Sequence, residues 1–376
     1  MSENVEAIAD KKDLNNDKKT LEAIKDQEVL PDDEELLKFI EQTRPKISVV
    51  GTGGSGSNTL TRLHSIGVDG VTLIAMNTDA QHLLKTKANR KVLLGKKLTR
   101  GMGAGSDPKI GEAAAQESIP DIENSIKGSA IVFVTCGLGG GTGTGSAHII
   151  AETARKNDSL TISVVTLPFT SEGKVRMQNA LDGLAKLKKA SDSVVVIPND
   201  KLLAIVPDLP LDTAFKVSDE ILANAVKGIA ELVTKEGLVN LDYADLRTIL
   251  KNSGTAVVGM GEATLDVKAK DRALIAVESA LNSPLLDVDI STANKALINV
   301  IGGEDMTLKE AELIVREVYN RIAPGAHIIW GARIEKNMPK TAIKVLVVLA
   351  GVKLPQYSVD MVTNIDLRNM DLDLLA

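Results

Sequence analysis

Residues 139–145 have the sequence GGGTGTG and lie between an apolar run that ends at Val134 and a helical pattern that continues through Ala154. Glycines let backbone N–H groups turn inward around an anion without Cβ clashes, and the N-terminus of a following helix adds partial positive charge. Thr142 and Thr144 can add hydroxyl donors. No lysine follows the glycines, so the Walker pattern is absent. The segment predicts a phosphate-binding turn that uses backbone dipoles and a metal ion; a flexible linker is the alternative.

The order of strand, turn and helix around this segment recurs along the first half of the chain. Buried strands that alternate with helices predict a mainly parallel sheet covered on both faces. Ligands of such sheets lie beyond the carboxyl ends of the strands. The apolar, strand-like runs are residues 47–50, 71–75, 130–134, 160–167 and 193–197, and the loops after them are residues 51–58, 77–79, 137–145, 167–169 and 198–200.

A long helix and a second domain are predicted after these repeats. Apolar residues recur at helical spacing between Asp212, which can cap the helix, and Gly237, which can close it. Four further strands near residues 255–260, 295–301, 326–334 and 343–350 indicate a smaller α/β domain. The predicted division is a partly disordered extension (1–45), a nucleotide-binding domain (46–211), a central helix (212–236), a loop with its helix (237–253), a C-terminal α/β domain (254–352) and a flexible tail (353–376).

Composition and charge exclude several functions. The net charge of −6 belongs to residues 1–44, with seven Lys/Arg against 13 Asp/Glu, and the remaining residues hold 37 of each. A body without a net basic field, and with only 2% aromatic residues, does not favour nucleic acid. One cysteine and four scattered histidines predict no protein-bound metal site. No apolar run is long enough to insert into a membrane, and a cytoplasmic location is expected.

A second glycine turn, residues 51–56 with the sequence GTGGSG, matches G-x-G-x-x-G between a strand and a helix. By itself it suggests a dinucleotide-dependent enzyme such as a dehydrogenase. That fold expects an acidic residue about 20 positions later to bind the ribose. The nearest acid, Asp79, lies past the strand end. Two glycine turns at one edge, with a third at residues 101–105, fit one ligand with several phosphates better.

Two carboxylates follow the long helix in the segment from Asn240 to Asp245. Asp242 and Asp245 are three residues apart and share a face if Asp242 opens a helix. Acids in a first turn usually cap the helix. The alternative is that they orient a water molecule or hold a cation for phosphate hydrolysis.

Taken in order, these motifs resemble the FtsZ family, the prokaryotic relatives of tubulin, and more its archaeal than its bacterial members. Residues 139–145 are similar to the signature turn of that family. The resemblance also covers residues 47–58, 76–81, 99–111, 164–176, 194–202, 237–247 and 280–290, with the long helix between them. It implies the tubulin/FtsZ fold: a Rossmann-like parallel-sheet GTPase domain, a long central helix and a second, smaller α/β domain.

The resemblance assigns roles to individual residues. Asp219 is expected to accept hydrogen bonds from the guanine edge. Phe215, four residues earlier, shares a helix face with Asp219 and is expected to contact the guanine, with a core position as the alternative. The implied nucleotide contacts are Gly53, Gly54, Asn58, Asn77, Asp79, Ala104, Gly105, Gly140, Gly141, Thr142, Gly143, Thr144, Pro168, Glu172, Arg176, Asn199, Phe215 and Asp219, and the implied catalytic residues are Asn240, Asp242 and Asp245.

The resemblance further implies a GTPase that polymerises head to tail into protofilaments of the cell-division ring. The adjacent subunit supplies the catalytic residues, the cofactors are GTP or GDP with Mg²⁺ held mainly by the phosphates, and the site of action is mid-cell. The partners are other copies of the chain and a membrane-anchoring adaptor that binds the C-terminal tail. A GTP-binding scaffold with weak hydrolysis is the first alternative, and an NAD-type dinucleotide enzyme is the second.

Overall fold

The computed structural model describes residues 45–352 except residues 206–209, 236, 264–270 and 287. The N-terminal extension up to residue 44 and the tail from residue 353 lie outside the described residues. The division of the chain into the six predicted segments stays a prediction.

Ten strands of the described chain form one sheet, in the order β3-β2-β1-β4-β5-β6-β7-β10-β8-β9. Neighbours from β3 to β7 are parallel, β10 is antiparallel to both β7 and β8, and β8 and β9 are parallel. The predicted mainly parallel sheet is therefore confirmed. The strands are β1 Ile47–Thr52, β2 Val71–Asn77, β3 Arg90–Leu93, β4 Ile131–Gly137, β5 Leu160–Leu167, β6 Ser193–Pro198, β7 Gly254–Ala263, β8 Lys295–Gly302, β9 His327–Ile334 and β10 Ile343–Ala350.

Helices cover both faces of this sheet because successive strand residues point to opposite sides. Val49 packs with α1, α8 and α9 on one face, whereas Val50 packs with α3 to α6 on the other. The helices are α1 Gly53–Ile66, α2 Ala80–Lys85, α3 Pro108–Glu117, α4 Ile119–Ile126, α5 Thr142–Lys156, α6 Lys174–Ala190, α7 Asn199–Ile205, α8 Leu211–Thr234, α9 Tyr243–Leu250, α10 Arg272–Leu281 and α11 Leu308–Tyr319. In the described part of the chain, no helix combines the length and apolar character needed to cross a membrane.

The central helix α8 differs at both ends from the prediction. Pro210 occupies the N-cap position, and Asp212 lies inside the first turn. At the other end Lys235 is already extended, and the helix stops at Thr234. Gly237 therefore does not close the helix. It lies close to β9 instead, where an added Cβ would come within 3.0 Å of the Ala332 carbonyl oxygen.

Glycines allow α3 to lie directly against α5. A Cβ added to Gly145 would fall within 3.0 Å of the Pro108 carbonyl oxygen and the Glu112 nitrogen. A Cβ added to Gly111 would likewise fall within 3.0 Å of the Gly141 carbonyl oxygen. The two helices thus pack backbone to backbone, which holds α3 beside the start of α5.

We expect Gly145→Ala to destabilise the protein by about 1–3 kcal/mol, because the methyl group would force α3 away from α5. The change is measured as the free energy of unfolding in denaturant. Gly140→Ala is the matched control, since a Cβ at Gly140 meets no atom within 4 Å. Equal stability of the two variants would contradict this packing.

Candidate nucleotide-binding site

Five loops open at one edge of the sheet, because the carboxyl ends of parallel strands meet there. The loops after β1 and β4 touch: Gly53 has φ +72°, and a Cβ on it would lie 2.8 Å from the Gly143 nitrogen. The structure therefore brings the first glycine turn and the GGGTGTG turn together. We refer to this edge, with its five loops, as the rim.

The GGGTGTG turn presents backbone donors at the start of α5. Gly141 is the N-cap and no side chain caps the helix, so the first N–H groups of α5 are free for a ligand. Gly140 borders open space. Thr144 is buried and its hydroxyl accepts a hydrogen bond of 2.8 Å from the Gly139 nitrogen, so it fixes the turn. The Thr142 hydroxyl lies 2.6 Å from that of Thr78.

The turn at residues 101–105 closes on the loop after β2. The Gly103 nitrogen donates to the Thr78 carbonyl at 3.1 Å, and the Ala80 nitrogen donates to the Gly101 carbonyl at 3.0 Å. Ala104 is buried, and its methyl lies 2.9 Å from where a Cβ of Gly141 would be. The third glycine turn thus lies against the GGGTGTG turn, as one polyphosphate ligand would require. Gly105, also part of it, has φ +57°.

Carboxylates of the phosphate loops are engaged as helix caps. Asp79 Oδ1 accepts from the His82 nitrogen at 3.0 Å at the start of α2. Asp107 Oδ1 accepts from the Lys109 nitrogen at 2.8 Å at the start of α3. Both side chains therefore stabilise loop geometry, and neither is poised as a free base.

The far side of the rim has the residues expected to bind guanine and ribose. Phe215, on α8, is 38% exposed and meets the buried Phe169 edge to face with centroids 5.4 Å apart, so the core alternative for Phe215 is wrong. Ser218 donates to Asn199 Oδ1 at 2.8 Å. Beyond the buried Pro168, Glu172 accepts from the Phe169 nitrogen at 2.8 Å and pairs with Arg176 at 3.0 Å.

The Asp219 carboxyl, at the rim, has a raised pKa. Burial raises its pKa to about 6, although hydrogen bonds from Ser55 and Asn58 oppose the rise. The Ser55 hydroxyl donates to Asp219 Oδ1 at 3.3 Å. A carboxylate here can accept from two N–H groups of a guanine edge, whereas the protonated carboxyl cannot accept both in the same way.

His82, which the sequence analysis did not single out, links three of the predicted contacts. Asn77 Oδ1 accepts from the Asp79 nitrogen at 3.2 Å, so the Asn77 amide nitrogen faces His82 Nδ1 at 3.3 Å. His82 Nδ1 must then accept, and Nε2–H donates to Asn58 Oδ1 at 3.3 Å. The Asn58 amide nitrogen is left for Asp219. His82 therefore orients two asparagines at once.

The three predicted catalytic residues lie away from the rim, beyond the other end of α8. Asp242 caps α9: its Oδ1 accepts from the Asp245 nitrogen at 2.8 Å, and Asp245 Oδ2 accepts from the Asp242 nitrogen at 3.2 Å. Asn240 Oδ1 accepts from the Gly237 nitrogen at 2.6 Å. The predicted capping role is confirmed, while Asn240 and Asp242 stay exposed. From Asp219 to Thr234 alone, α8 rises by roughly 22 Å.

We expect guanine-nucleotide affinity to fall as pH decreases through about 6. Since the pKa of the Asp219 carboxyl is raised to about 6 without nucleotide, acid favours the protonated form that binds less well. The affinity loss should be about 10-fold between roughly pH 7.5 and pH 5. Phosphate groups of the nucleotide titrate too, so the measurement compares binding curves of the wild type and Asp219→Asn. Equal pH slopes for both proteins would refute the assignment.

We expect His82→Leu to weaken nucleotide binding by about 3- to 10-fold, because two hydrogen bonds that orient Asn58 and Asn77 are lost. His82→Gln should retain affinity, since its amide offers one acceptor and one donor. His64→Leu, at an exposed histidine in the last turn of α1, is the control. Titration with a fluorescent guanine nucleotide measures all three, and equal affinity of the Leu and Gln variants would argue against the role.

Comparison with known proteins identifies the family. The model of the Tubulin/FtsZ family GTPase domain matches residues 46–207, and that of the FtsZ family C-terminal domain matches residues 254–353. Cell division protein FtsZ 1 of Methanocaldococcus jannaschii is 55% identical over 333 residues, covering 89% of this chain and 90% of the relative. The corresponding protein of Pyrococcus horikoshii is 57% identical over 320 residues, covering 85% of this chain and 84% of the relative.

Comparison with solved structures supports the same family assignment. An FtsZ dimer of M. jannaschii superposes with a TM-score of 0.81 at 56% identity, covering 86% of this chain and 92% of that one. CetZ2 of Haloferax volcanii, at 23% identity and a TM-score of 0.71, shows the shared fold. The expected tubulin/FtsZ fold and the archaeal character are confirmed. The chain belongs to the FtsZ family of cell-division GTPases.

Proposed function

We propose that the protein binds GTP at the rim, hydrolyses it to GDP and phosphate, and polymerises head to tail into protofilaments of the cell-division ring. Asn240, Asp242 and Asp245 of one subunit complete the phosphate site of the next. One observation carries the proposal: the glycine turns of the rim lie towards one end of α8, and residues 240–245, which we call the acidic loop, lie towards the other. A contact that joins two different surfaces does not close on itself, so repeated stacking makes a filament.

The rim is built to bind phosphate and lacks a prepared base among the contacts described above. Its donors are backbone N–H groups and hydroxyls, and Asp79 and Asp107 serve as caps. Phosphoryl transfer depends mainly on positioning and charge stabilisation. A loop from the next subunit would hold the attacking water in line, so hydrolysis would depend on assembly.

Exposed apolar side chains support stacking of the two ends. Met102 is 80% exposed in the third glycine turn, and Leu84 is 78% exposed on α2, both near the rim. Leu238 is 63% exposed beside the acidic loop. Stacking of the two ends would remove these side chains from water, which is favourable. A solved relative is itself described as an FtsZ dimer, which supports self-association.

Mg²⁺ would be held through the GTP phosphates. Among the described residues, no group of three His, Cys, Asp or Glu side chains could hold a metal ion. Mg²⁺ commonly binds through substrate phosphates with few protein ligands. When bound, it would neutralise phosphate charge, while the chain's own N–H groups orient the triphosphate.

Guanine selection rests on Asp219, with Asn199 and Phe215 beside it. Membership of the FtsZ family argues against an NAD-type enzyme. A scaffold that binds GTP but hydrolyses it weakly is the remaining alternative, and the intact Asp242–Asp245 pair disfavours it. We also propose that the tail, outside the described residues, binds a membrane-anchoring adaptor, and that the protein acts in the cytoplasm at mid-cell.

We expect Asp245→Asn to bind GTP and assemble, yet to hydrolyse GTP on the order of 100-fold more slowly. Asparagine keeps an oxygen that can accept from the Asp242 nitrogen, so the cap of α9 survives while the charge is lost. Asp289→Asn is the matched control, because Asp289 also caps a short helical turn, with its Oδ1 3.0 Å from the Ser291 nitrogen. Phosphate release at several protein concentrations measures the effect.

A mixture provides the decisive test of the shared site. Gly140→Asp should fold, since open space surrounds that position, but its negative charge should repel the phosphates. Its acidic loop is intact, so it should restore turnover of GTP bound to Asp245→Asn subunits. A mixture that never exceeds the sum of its separate activities would show that subunits do not share the site.

A further inference from the structure

A carboxylate is buried at the end of α8 that lies away from the rim. Glu231 is 1% exposed, and its Oε2 accepts from Arg333 Nη2 of β9, which is itself buried. Oε1 lies 3.0 Å from Lys235 Nζ and 3.8 Å from Lys227 Nζ. We call these four residues the Glu231 cluster. It joins the last turns of the central helix to a strand of the C-terminal half.

Burying charges in this way is not an efficient source of stability. Desolvation offsets much of the attraction between buried ions, and an apolar pair of similar volume is often as stable. Such a pair does impose one geometry, because either partner left alone in the interior is strongly unfavourable. The cluster is therefore better explained by the position that it fixes than by the energy that it adds.

The position that it fixes is that of the acidic loop. The Leu238 and Val239 nitrogens donate to the Ala332 carbonyl at 2.7 and 3.1 Å, and the Ala332 nitrogen donates to the Val239 carbonyl at 3.2 Å. Ala332 directly precedes Arg333. The chain thus forms a closed ring from Glu231 through the end of α8 and the loop to β9, and back through Arg333.

The ring continues into the residues expected to act on the neighbour. The Gly237 nitrogen donates to Asn240 Oδ1, and Asp242 follows two residues later as the cap of α9. Lys227 Nζ also donates to the Ile66 carbonyl at 3.0 Å, which ties the cluster to the last residue of α1. A shift of Arg333 would therefore shift the loop relative to the body that stacks on the next subunit.

We propose that the Glu231–Arg333 ion pair positions Asn240, Asp242 and Asp245 for hydrolysis in the adjacent subunit, and this inference rests on the proposed shared site. Arg333 acts through the loop and touches no reacting atom. Displacements of about 1 Å can cost up to about 100-fold in rate, so a small change in the loop is enough. Binding of GTP to the subunit's own rim does not involve the cluster.

The test substitutes two buried arginines in the same way. Arg333→Met removes the pair with Glu231. Arg272→Met is the matched control, since Arg272 is 3% exposed and pairs with Glu310 at 2.5 and 2.9 Å. It also donates to the Asp305 carbonyl, and both partners lie outside the acidic loop. We expect both variants to lose stability, while Arg333→Met alone loses turnover, by about 10- to 100-fold, with unchanged GTP affinity.

A mixture then separates positioning from misfolding. Gly140→Asp, which has an intact cluster and loop, should raise turnover of GTP bound to Arg333→Met subunits. Rescue of Asp245→Asn but not of Arg333→Met would overturn the inference and leave the shared site standing. Rescue of neither would overturn the shared site. If Arg333→Met does not fold, Arg333→Lys replaces it, since lysine keeps the charge without the guanidinium fork. Wild-type turnover of Arg333→Lys would overturn the inference. Reduced turnover that Gly140→Asp rescues would support it.

Discussion

Backbone segments approach one another at the rim more closely than side chains would allow, and the rest of the site depends on this approach. Gly53 lies against Gly143, and Gly111 lies against Gly141. These contacts gather the first loop, the GGGTGTG turn and α3 at one point. Several N–H groups can face one anion only where Cβ atoms are absent. The same glycines therefore explain both the packing of α3 on α5 and the capacity to bind phosphate without a lysine.

Aspartate side chains cap helices at the rim and also near the opposite end of α8. Asp79 and Asp107 cap helices at the rim, and Asp242 with Asp245 caps α9 at the other end. Capping explains each of them locally, but it does not explain why Asp242 stays exposed next to a segment that β9 holds in place. Free carboxylates near the rim would repel bound phosphates, and in the proposed shared site a loop that arrives with the next subunit avoids that repulsion until assembly.

Patterns local in sequence predicted much of this structure. Strands such as β1 and β5 were identified because buried apolar runs are short and continuous, and the glycine turns because each follows a strand. Strand β3, Arg90–Leu93, was missed because it has four residues, two of them charged. Helix α6, Lys174–Ala190, was missed because its polar residues hide the buried stripe. His82 and Arg333 had no local signal, since their partners lie up to 24 and 102 residues away.

The two ends of α8 thus have different requirements: one end binds a ligand, and the other end positions a loop. At the rim, a ligand that diffuses in can adjust to the donors, so backbone turns suffice. At the other end, in the proposed shared site, the loop meets a phosphate held by another subunit, so its position depends on every contact between the loop and the interface. A displacement of the loop would add to any misalignment between the two subunits. A buried ion pair with a single favourable geometry suits that end, even though it contributes little net stability.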